Sequence, residues 1–219
     1  QMIEVSRPDG GKTPAYLAPS PRPGSPGIVL IQEWWGLNDH IRSVADRLAA
    51  EGYTVLAPDL YRGRGTTKAD EANHLMNSLD FADATKQDIA GCAIHLSEGG
   101  HKVGVIGFCM GGALTVASAV HVPGLSAAVC FYGVPPKQVA DPALIRIPFM
   151  GHFATLDDWC TPAIAASLAC ATPAAVSTSL DGRLIVTGAA AGAAALLLPL
   201  RLSAPTTRSL PTVILGPRM

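Results

Sequence analysis

Short β-branched runs alternate with longer amphipathic stretches from Tyr16 to about Leu168, and this alternation limits the possible folds more than any other feature. Apolar runs this short are typical of buried strands rather than helices. Strands are predicted over residues 27–32, 53–59, 102–107, 126–132 and 147–153. Because strands separated by helices form βαβ units, the sequence predicts the α/β class, with a mostly parallel sheet flanked by helices.

The stretches between these strands carry helical spacing. Apolar residues recur at that spacing over residues 38–51, which predicts a helix there: Ile41, Val44, Ala45 and Leu48. Either Asn38 or Asp39 serves as its N-cap, and Gly52 is its stop. Residues 70–97 predict one or two helices, and residues 111–120 predict a helix of small residues.

Residues 107–112 read Gly-Phe-Cys-Met-Gly-Gly and join a predicted strand to the helix of small residues. This is the context of the G-x-S-x-G nucleophile elbow, with Cys109 in place of serine. Because the turn is strained, the residues two before and two after the nucleophile need to lack a Cβ, as Gly107 and Gly111 do. The helix N-terminus favours a thiolate, and the Met110 N–H would point at a developing oxyanion.

Two other kinds of site also place a glycine-rich turn between a strand and a helix. A nucleotide-binding loop would need G-x-G-x-x-G or a following Lys-Ser/Thr pair, and neither is present. A glutamine amidotransferase would need a histidine and a glutamate close together after Cys109, and the sequence has no such pair. A buried structural cysteine is the remaining alternative to a nucleophile.

Four further segments carry a family resemblance. Residues 32–38 read Gln-Glu-Trp-Trp-Gly-Leu-Asn, residues 57–61 Ala-Pro-Asp-Leu-Tyr, residues 131–133 Phe-Tyr-Gly and residues 158–162 Asp-Trp-Cys-Thr-Pro. Together with the elbow, and in this order, they resemble the dienelactone hydrolase family from about Asp9 to Leu168. The resemblance implies an α/β-hydrolase that opens enol-lactones or related esters through a cysteine thioester.

The same resemblance implies a Cys-His-Asp triad. Cys109 would be the nucleophile, and Asp158 the carboxylate that orients the histidine. The adjacent Asp157 stays an alternative, although the spacing to Pro162 favours Asp158. Glu33 would contact the resting thiol and help to control its protonation. Apart from the resemblance, a carboxylate at the end of an apolar strand suggests a site, because burying an unpartnered charge is costly, and a solvent-facing loop residue is the alternative.

The resemblance also indicates how a substrate would be held. The Trp34 N–H would join the Met110 N–H in the oxyanion hole, and Trp35 would line the pocket wall. Arg62 is the candidate for a substrate carboxylate, with Arg64 close by; a solvated loop face is the alternative for both. The expected partner is a small-molecule lactone or ester.

The triad histidine has no candidate in this sequence. The six histidines are His40, His74, His95, His101, His121 and His152. In an α/β-hydrolase the histidine follows the acid, and none of these does. The sequence therefore predicts a poorly active or inactive chain. Two further functions stay open, namely an inactive homologue that binds ligands and a broader carboxylesterase or thioesterase.

The composition changes near Leu168. Residues 169–219 contain no Glu, Lys, His, Phe, Tyr or Trp. The sequence therefore predicts a hydrolase domain over residues 1–168, incomplete at its C-terminal end, and an atypical tail over 169–219. Our hypothesis is a change of reading frame in GC-rich DNA. The uncharged run 184–200 is nearly long enough to cross a bilayer, but its glycines, proline and many alanines disfavour a membrane anchor.

Charge and cysteine content exclude several functions. The formal net charge is -1, so neither nucleic acid nor an anionic membrane surface is an expected partner. The five cysteines form no C-x-x-C pair, which indicates neither a disulfide framework nor a zinc site. Residues 1–13 lack the apolar core of a secretory signal, so a cytoplasmic enzyme is expected. No metal or organic cofactor is expected, and the sequence does not predict the oligomeric state.

Overall fold

The computed structural model describes residues 1–154, 156–172, 176–180 and 183–187. Within these residues, one sheet has the strand order β1-β2-β4-β3-β5-β6-β7-β8-β9. Its strands are β1 Met2–Ser6, β2 Lys12–Ala18, β3 Gly27–Ile31, β4 Thr54–Pro58, β5 Val103–Phe108, β6 Leu125–Phe131, β7 Phe149–Phe153, β8 Val176–Leu180 and β9 Arg183–Thr187. Every pairing from β4 through β8 is parallel, which confirms the predicted α/β class.

The helices lie between the parallel strands. They are α1 Asp39–Ala50, α2 Ala69–Asn77, α3 Phe81–Asp83, α4 Ala90–Ser97, α5 Met110–His121 and α6 Pro162–Ala171. A π-helical segment, Ala84–Ile89, joins α3 to α4, and a 3-10 turn spans Pro142–Leu144. The predicted caps of α1 are confirmed, because the Asn38 side chain accepts the Ile41 N–H at 3.0 Å and Gly52 has a φ of 102°.

Two apolar layers hold the helices against the sheet, because successive strand residues point to opposite faces. Ile28 and Leu30 pack with α1 on one face, while Val29 and Ile31 pack with α4 and α5 on the other. β3 is buried along its whole length. The carboxyl ends of β3 and β5 consequently lie side by side, with Ile31 paired to Gly107.

The sequence did not predict β1, β2 or α6. β1 and β2 form an antiparallel hairpin at one edge of the sheet, where exposed polar positions mask the strand pattern. Pro14 lies within β2, and its carbonyl accepts the Asp59 N–H at 2.8 Å.

The described residues extend into the predicted tail. α6 continues to Ala171, β8 pairs in parallel with β7, and β9 pairs antiparallel with β8. Residues 173–175, 181–182 and 188–219 lie outside the described residues. The domain boundary at 168 and the frame change therefore stay predictions. No helix in the described ranges is long and apolar enough to cross a membrane, and most of the run 184–200 lies outside them.

Candidate active site

Cys109 occupies a strained turn between β5 and α5. Its φ is 55° and its ψ is -117°, a region in which a residue with a Cβ costs about 1–3 kcal/mol. Backbone hydrogen bonds fix the turn on both sides. The Cys109 N–H donates to the Phe131 carbonyl at 3.0 Å, and its carbonyl accepts the Ala113 N–H at 3.1 Å. The strand–turn–helix geometry predicted for this segment is present.

Glycines allow the backbone to pack closely around this turn. A Cβ at Gly107 would lie 2.0 Å from the Gly111 carbonyl oxygen, and one at Gly111 would lie 2.5 Å from the Gln32 carbonyl oxygen. Both contacts are too short for any side chain, which confirms the steric role predicted for this pair. A Cβ at Gly133 would lie 2.1 Å from the Cys109 carbonyl oxygen, so the turn is enclosed from the β6 side as well.

The Cys109 thiol is partly buried and lies near two carboxylates. Burial is the largest effect and raises the pKa of the thiol above its ordinary value, and the charges of Glu33 and Asp157 raise it further. A hydrogen bond from the Met110 backbone N–H opposes this effect, because it favours the thiolate. Since the pKa remains raised, Cys109 rests as a neutral thiol near neutral pH.

Tyr132 holds Glu33 in place, a role that the sequence did not predict. Its hydroxyl donates to a Glu33 carboxylate oxygen at 3.1 Å, and its backbone N–H donates to the His152 carbonyl at 2.8 Å. Its φ of 40° is rare for a residue with a side chain. Burial, followed by the charge of Glu33, raises the pKa of the phenol, which therefore stays a hydrogen-bond donor. The position of Tyr132 at the end of β6, in Phe-Tyr-Gly, was the available signal.

The two adjacent aspartates differ in orientation. Asp157 is half-buried, and one of its carboxylate oxygens accepts the N–H groups of Trp159 at 2.7 Å and Cys160 at 2.8 Å. Asp158 is exposed. The charge of Asp157 is among the causes that raise the pKa of Cys109. The choice between Asp157 and Asp158 as the acid stays a prediction.

Met110 is fixed from behind by an aromatic side chain. The Met110 side chain is buried, and the hydroxyl of the buried Tyr61 donates to its sulfur at 3.2 Å. This contact orients the first residue of α5, whose N–H bonds to the thiol. Trp34 lies beside the same apolar cluster, with its ring centroid 5.0 Å from that of Trp35. The structure therefore places both tryptophans at the end of β3, beside the elbow.

The structure places the exposed Arg62 in an ion pair with the buried Asp88. Its guanidinium donates to a carboxylate oxygen of the buried Asp88 at 2.7 Å and to the Asp59 carbonyl at 3.0 Å. Arg7 contacts the same Asp88 oxygen at 3.3 Å. These contacts tie the loop after β4 to the π-helical segment. Arg64 is exposed and donates to the Tyr61 carbonyl at 3.2 Å.

His152 lies on β7 and packs against an aromatic ring of β6. Its ring stacks on Phe131 with centroids 4.5 Å apart and an interplanar angle of 15°. Burial lowers the pKa of the imidazole. The described part of the chain contains no cluster of His, Cys, Asp or Glu that could hold a metal ion.

Three features define the class of α/β-hydrolases: the order of the strands, the helices that connect the parallel strands and the strained turn after β5. Within this class, the profile of the Dienelactone hydrolase family matches residues 13–177. The chain therefore belongs to the dienelactone hydrolase family and is by family a carboxylic ester hydrolase.

Three proteins illustrate the similarity. Protein usf of Aquifex pyrophilus is 36% identical over 169 residues, which cover 73% of this chain and 72% of that protein. The "Putative carboxymethylenebutenolidase" of Aquifex aeolicus is 31% identical over 172 residues, with the same shares of 73% and 72%. The crystal structure titled "Putative Dienelactone Hydrolase" from Klebsiella pneumoniae is 26% identical, with a TM-score of 0.65, and the match covers 82% of this chain and 85% of that one.

Proposed function

We propose that this chain opens an ester or enol-lactone through an acyl thioester on Cys109. The observation that carries the proposal is the strained turn that sets the Cys109 thiol at the start of α5, with the Met110 N–H beside it. The thiolate sulfur would form a bond to the acyl carbon, and the alkoxide would leave and take up a proton. Water would then cleave the thioester and release the acid, which regenerates the thiol.

The surrounding groups supply two of the requirements of this reaction. Glu33 lies near the thiol and is held by Tyr132, so it would receive the thiol proton when a substrate displaces water. The N–H groups of Met110 and Trp34 would stabilise the oxyanion. The orientation of the aspartates favours Asp157 over Asp158 as the acid of the site.

We further propose that the 219-residue chain turns its substrate over slowly. No histidine follows Asp157 in the sequence, and the ring of His152, which precedes it, stacks on Phe131. A thiol is intrinsically nucleophilic, so acylation would persist while deacylation is impaired. The expected kinetic signature is a burst of product close to one equivalent, followed by slow release.

The test is pre-steady-state hydrolysis of p-nitrophenyl acetate by the 219-residue chain. Cys109→Ala is expected to abolish the burst and to lower acylation by at least about a thousandfold. Cys92→Ala is the matched control, because Cys92 is a buried thiol of α4, and it should retain the burst. If the unchanged chain shows steady turnover with no burst, and Cys109→Ala abolishes that turnover, the proposed impairment is refuted. A burst that survives Cys109→Ala would refute Cys109 as the nucleophile. No burst and no turnover in the unchanged chain would favour the inactive ligand-binding homologue.

A further inference from the structure

The tryptophans of this protein form a single cluster. The chain has three tryptophans, and Trp34 contacts the other two. The centroids of Trp34 and Trp35 are 5.0 Å apart with an interplanar angle of 65°, and those of Trp34 and Trp159 are 6.3 Å apart with an angle of 83°. Both contacts have the edge-to-face geometry that aromatic pairs prefer. Two separate segments, the end of β3 and the loop before α6, therefore supply one aromatic surface.

This cluster borders the Cys109 thiol. Trp34 directly follows Glu33, and Trp159 follows Asp157 by two residues and bonds to its carboxylate. The Gln32 carbonyl, two residues before Trp34, packs against Gly111 of the elbow, where a Cβ would lie 2.5 Å from its oxygen. The charges of Glu33 and Asp157 also raise the pKa of the thiol. The aromatic surface is therefore at the rim of the candidate active site.

Part of the rim is open to solvent. Trp159 is 67% exposed, although Asp157 fixes its backbone, and Leu156, three residues before it in the chain, is 93% exposed. Exposed aromatic and aliphatic side chains near a candidate reactive group are typical of a ligand-binding surface. The Trp159 indole contacts Trp34, and the exposed part of the indole can pack against a further aromatic ring.

We infer that the tryptophan cluster is a subsite for an aromatic ring of the substrate, with Trp159 as a specificity-determining residue. The inference rests on the proposed function for the choice of an ester as substrate. A ring on Trp159 would continue the edge-to-face series that Trp34 begins. Because the Asp157 carboxylate accepts the Trp159 N–H at 2.7 Å, a negative charge already lies beside this subsite, and the ring belongs to a neutral ester such as a benzyl ester, not to an anionic one.

Binding is tested apart from catalysis with two uncharged amides, N-benzylacetamide and N-(cyclohexylmethyl)acetamide, on the full chain carrying Cys109→Ala. Tryptophan fluorescence reports binding, because Trp34 and Trp35 remain in every variant. We expect N-benzylacetamide to bind with a Kd about fivefold lower than the cyclohexyl amide. Trp159→Leu, which keeps apolar bulk at an exposed position, should remove this preference, while Trp159→Phe should retain it.

Two results would overturn the inference. One is equal affinity for the two amides, or a preference that survives Trp159→Leu. The other is a dimer in sedimentation velocity that Trp159→Leu dissociates, since a second copy would then cover the indole. The two proposals fail separately. If the Cys109→Ala chain binds the benzyl amide selectively but the unchanged chain forms no acyl group on Cys109, the subsite is supported and the proposed function is contradicted.

Discussion

At the scale of residues, two carboxylates, Glu33 and Asp157, raise the pKa of the Cys109 thiol in the candidate site. The family pattern alone favoured Asp158, because a sequence gives spacing but not the direction of a side chain. In the structure, Asp157 turns inward to accept two backbone N–H groups, and Asp158 points to solvent. The difference between adjacent carboxylates depends on this local turn, which no periodicity in the sequence reveals.

The two aspartates predict different effects on thiol reactivity. Asp157→Asn removes a negative charge that raises the pKa of Cys109, so the thiolate fraction near pH 8 should increase. Asparagine keeps an oxygen acceptor for the loop N–H groups. The rate of Cys109 alkylation by iodoacetamide should therefore rise, while Asp158→Asn should leave it unchanged. A larger increase for Asp158→Asn would restore Asp158 as the inward carboxylate.

Tyr132 predicts a pair of opposite effects. Tyr132→Phe removes the hydrogen bond to Glu33, worth about 1.5–3 kcal/mol where the acceptor is charged and less where it is exposed. The released carboxylate would affect the thiol less, so alkylation should become faster. Acylation by ester should become slower, because Glu33 is no longer positioned to receive the proton.

The control for this change is Tyr16→Phe. The Tyr16 hydroxyl also donates to a carboxylate, Asp46, at 2.9 Å, but on an exposed surface far along the chain from the elbow. Tyr16→Phe should alter neither rate. If Tyr132→Phe changes both rates in the same direction, Tyr132 affects the thiol by some means other than positioning Glu33.

At the scale of elements, the sequence predicted the central strands well. β3, β4 and β5 are buried along most of their length, and β6 is apolar apart from Ser126, so pattern alone identified them. The edge hairpin β1–β2 was missed because pairing, rather than burial, defines it. The predicted helical region 70–97 was also more divided than expected, since a π-helical segment places Asp88 inward towards Arg7 and Arg62.

The stack between β6 and β7 predicts a pH dependence of stability. Burial lowers the pKa of His152 in the folded state below its ordinary value of 6.5. The unfolded chain then binds the proton more readily, so this contribution to stability is present above about pH 6.5 and is lost as the pH falls below it. His152→Phe keeps a ring on Phe131 and removes the titration.

The measurement is the difference in Tm between about pH 7.5 and about pH 5, a range that spans imidazole titration. The decrease should be smaller for His152→Phe than for the unchanged chain. His74→Phe, at an exposed position on α2, should leave the decrease as it was. An unchanged decrease in His152→Phe would show that His152 does not titrate with unfolding.

At the scale of the whole molecule, the family match ends at a different residue from the one at which the composition changes. The match extends to residue 177, whereas charged and aromatic residues become scarce after Leu168. The described sheet includes β8 across this interval. The family match shows no boundary at Leu168, and the change of reading frame there stays a hypothesis.

The coding DNA checks this hypothesis directly. We predict that translating the region after codon 168 in all three frames yields one frame with charged and aromatic residues and a histidine in a loop before a final helix. Such a frame would supply the missing triad member. If no frame does so, the hypothesis of a change of reading frame is wrong.

The central claim, that Cys109 forms the acyl-enzyme, is tested most directly by mass spectrometry of the 219-residue chain quenched during reaction with p-nitrophenyl acetate. We predict an increase equal to one acetyl group, located by proteolysis to the peptide that contains Cys109 and absent from Cys109→Ala. Because deacylation is expected to be slow, the adduct should accumulate. An unmodified Cys109 peptide, or an adduct that persists in Cys109→Ala, would contradict the account.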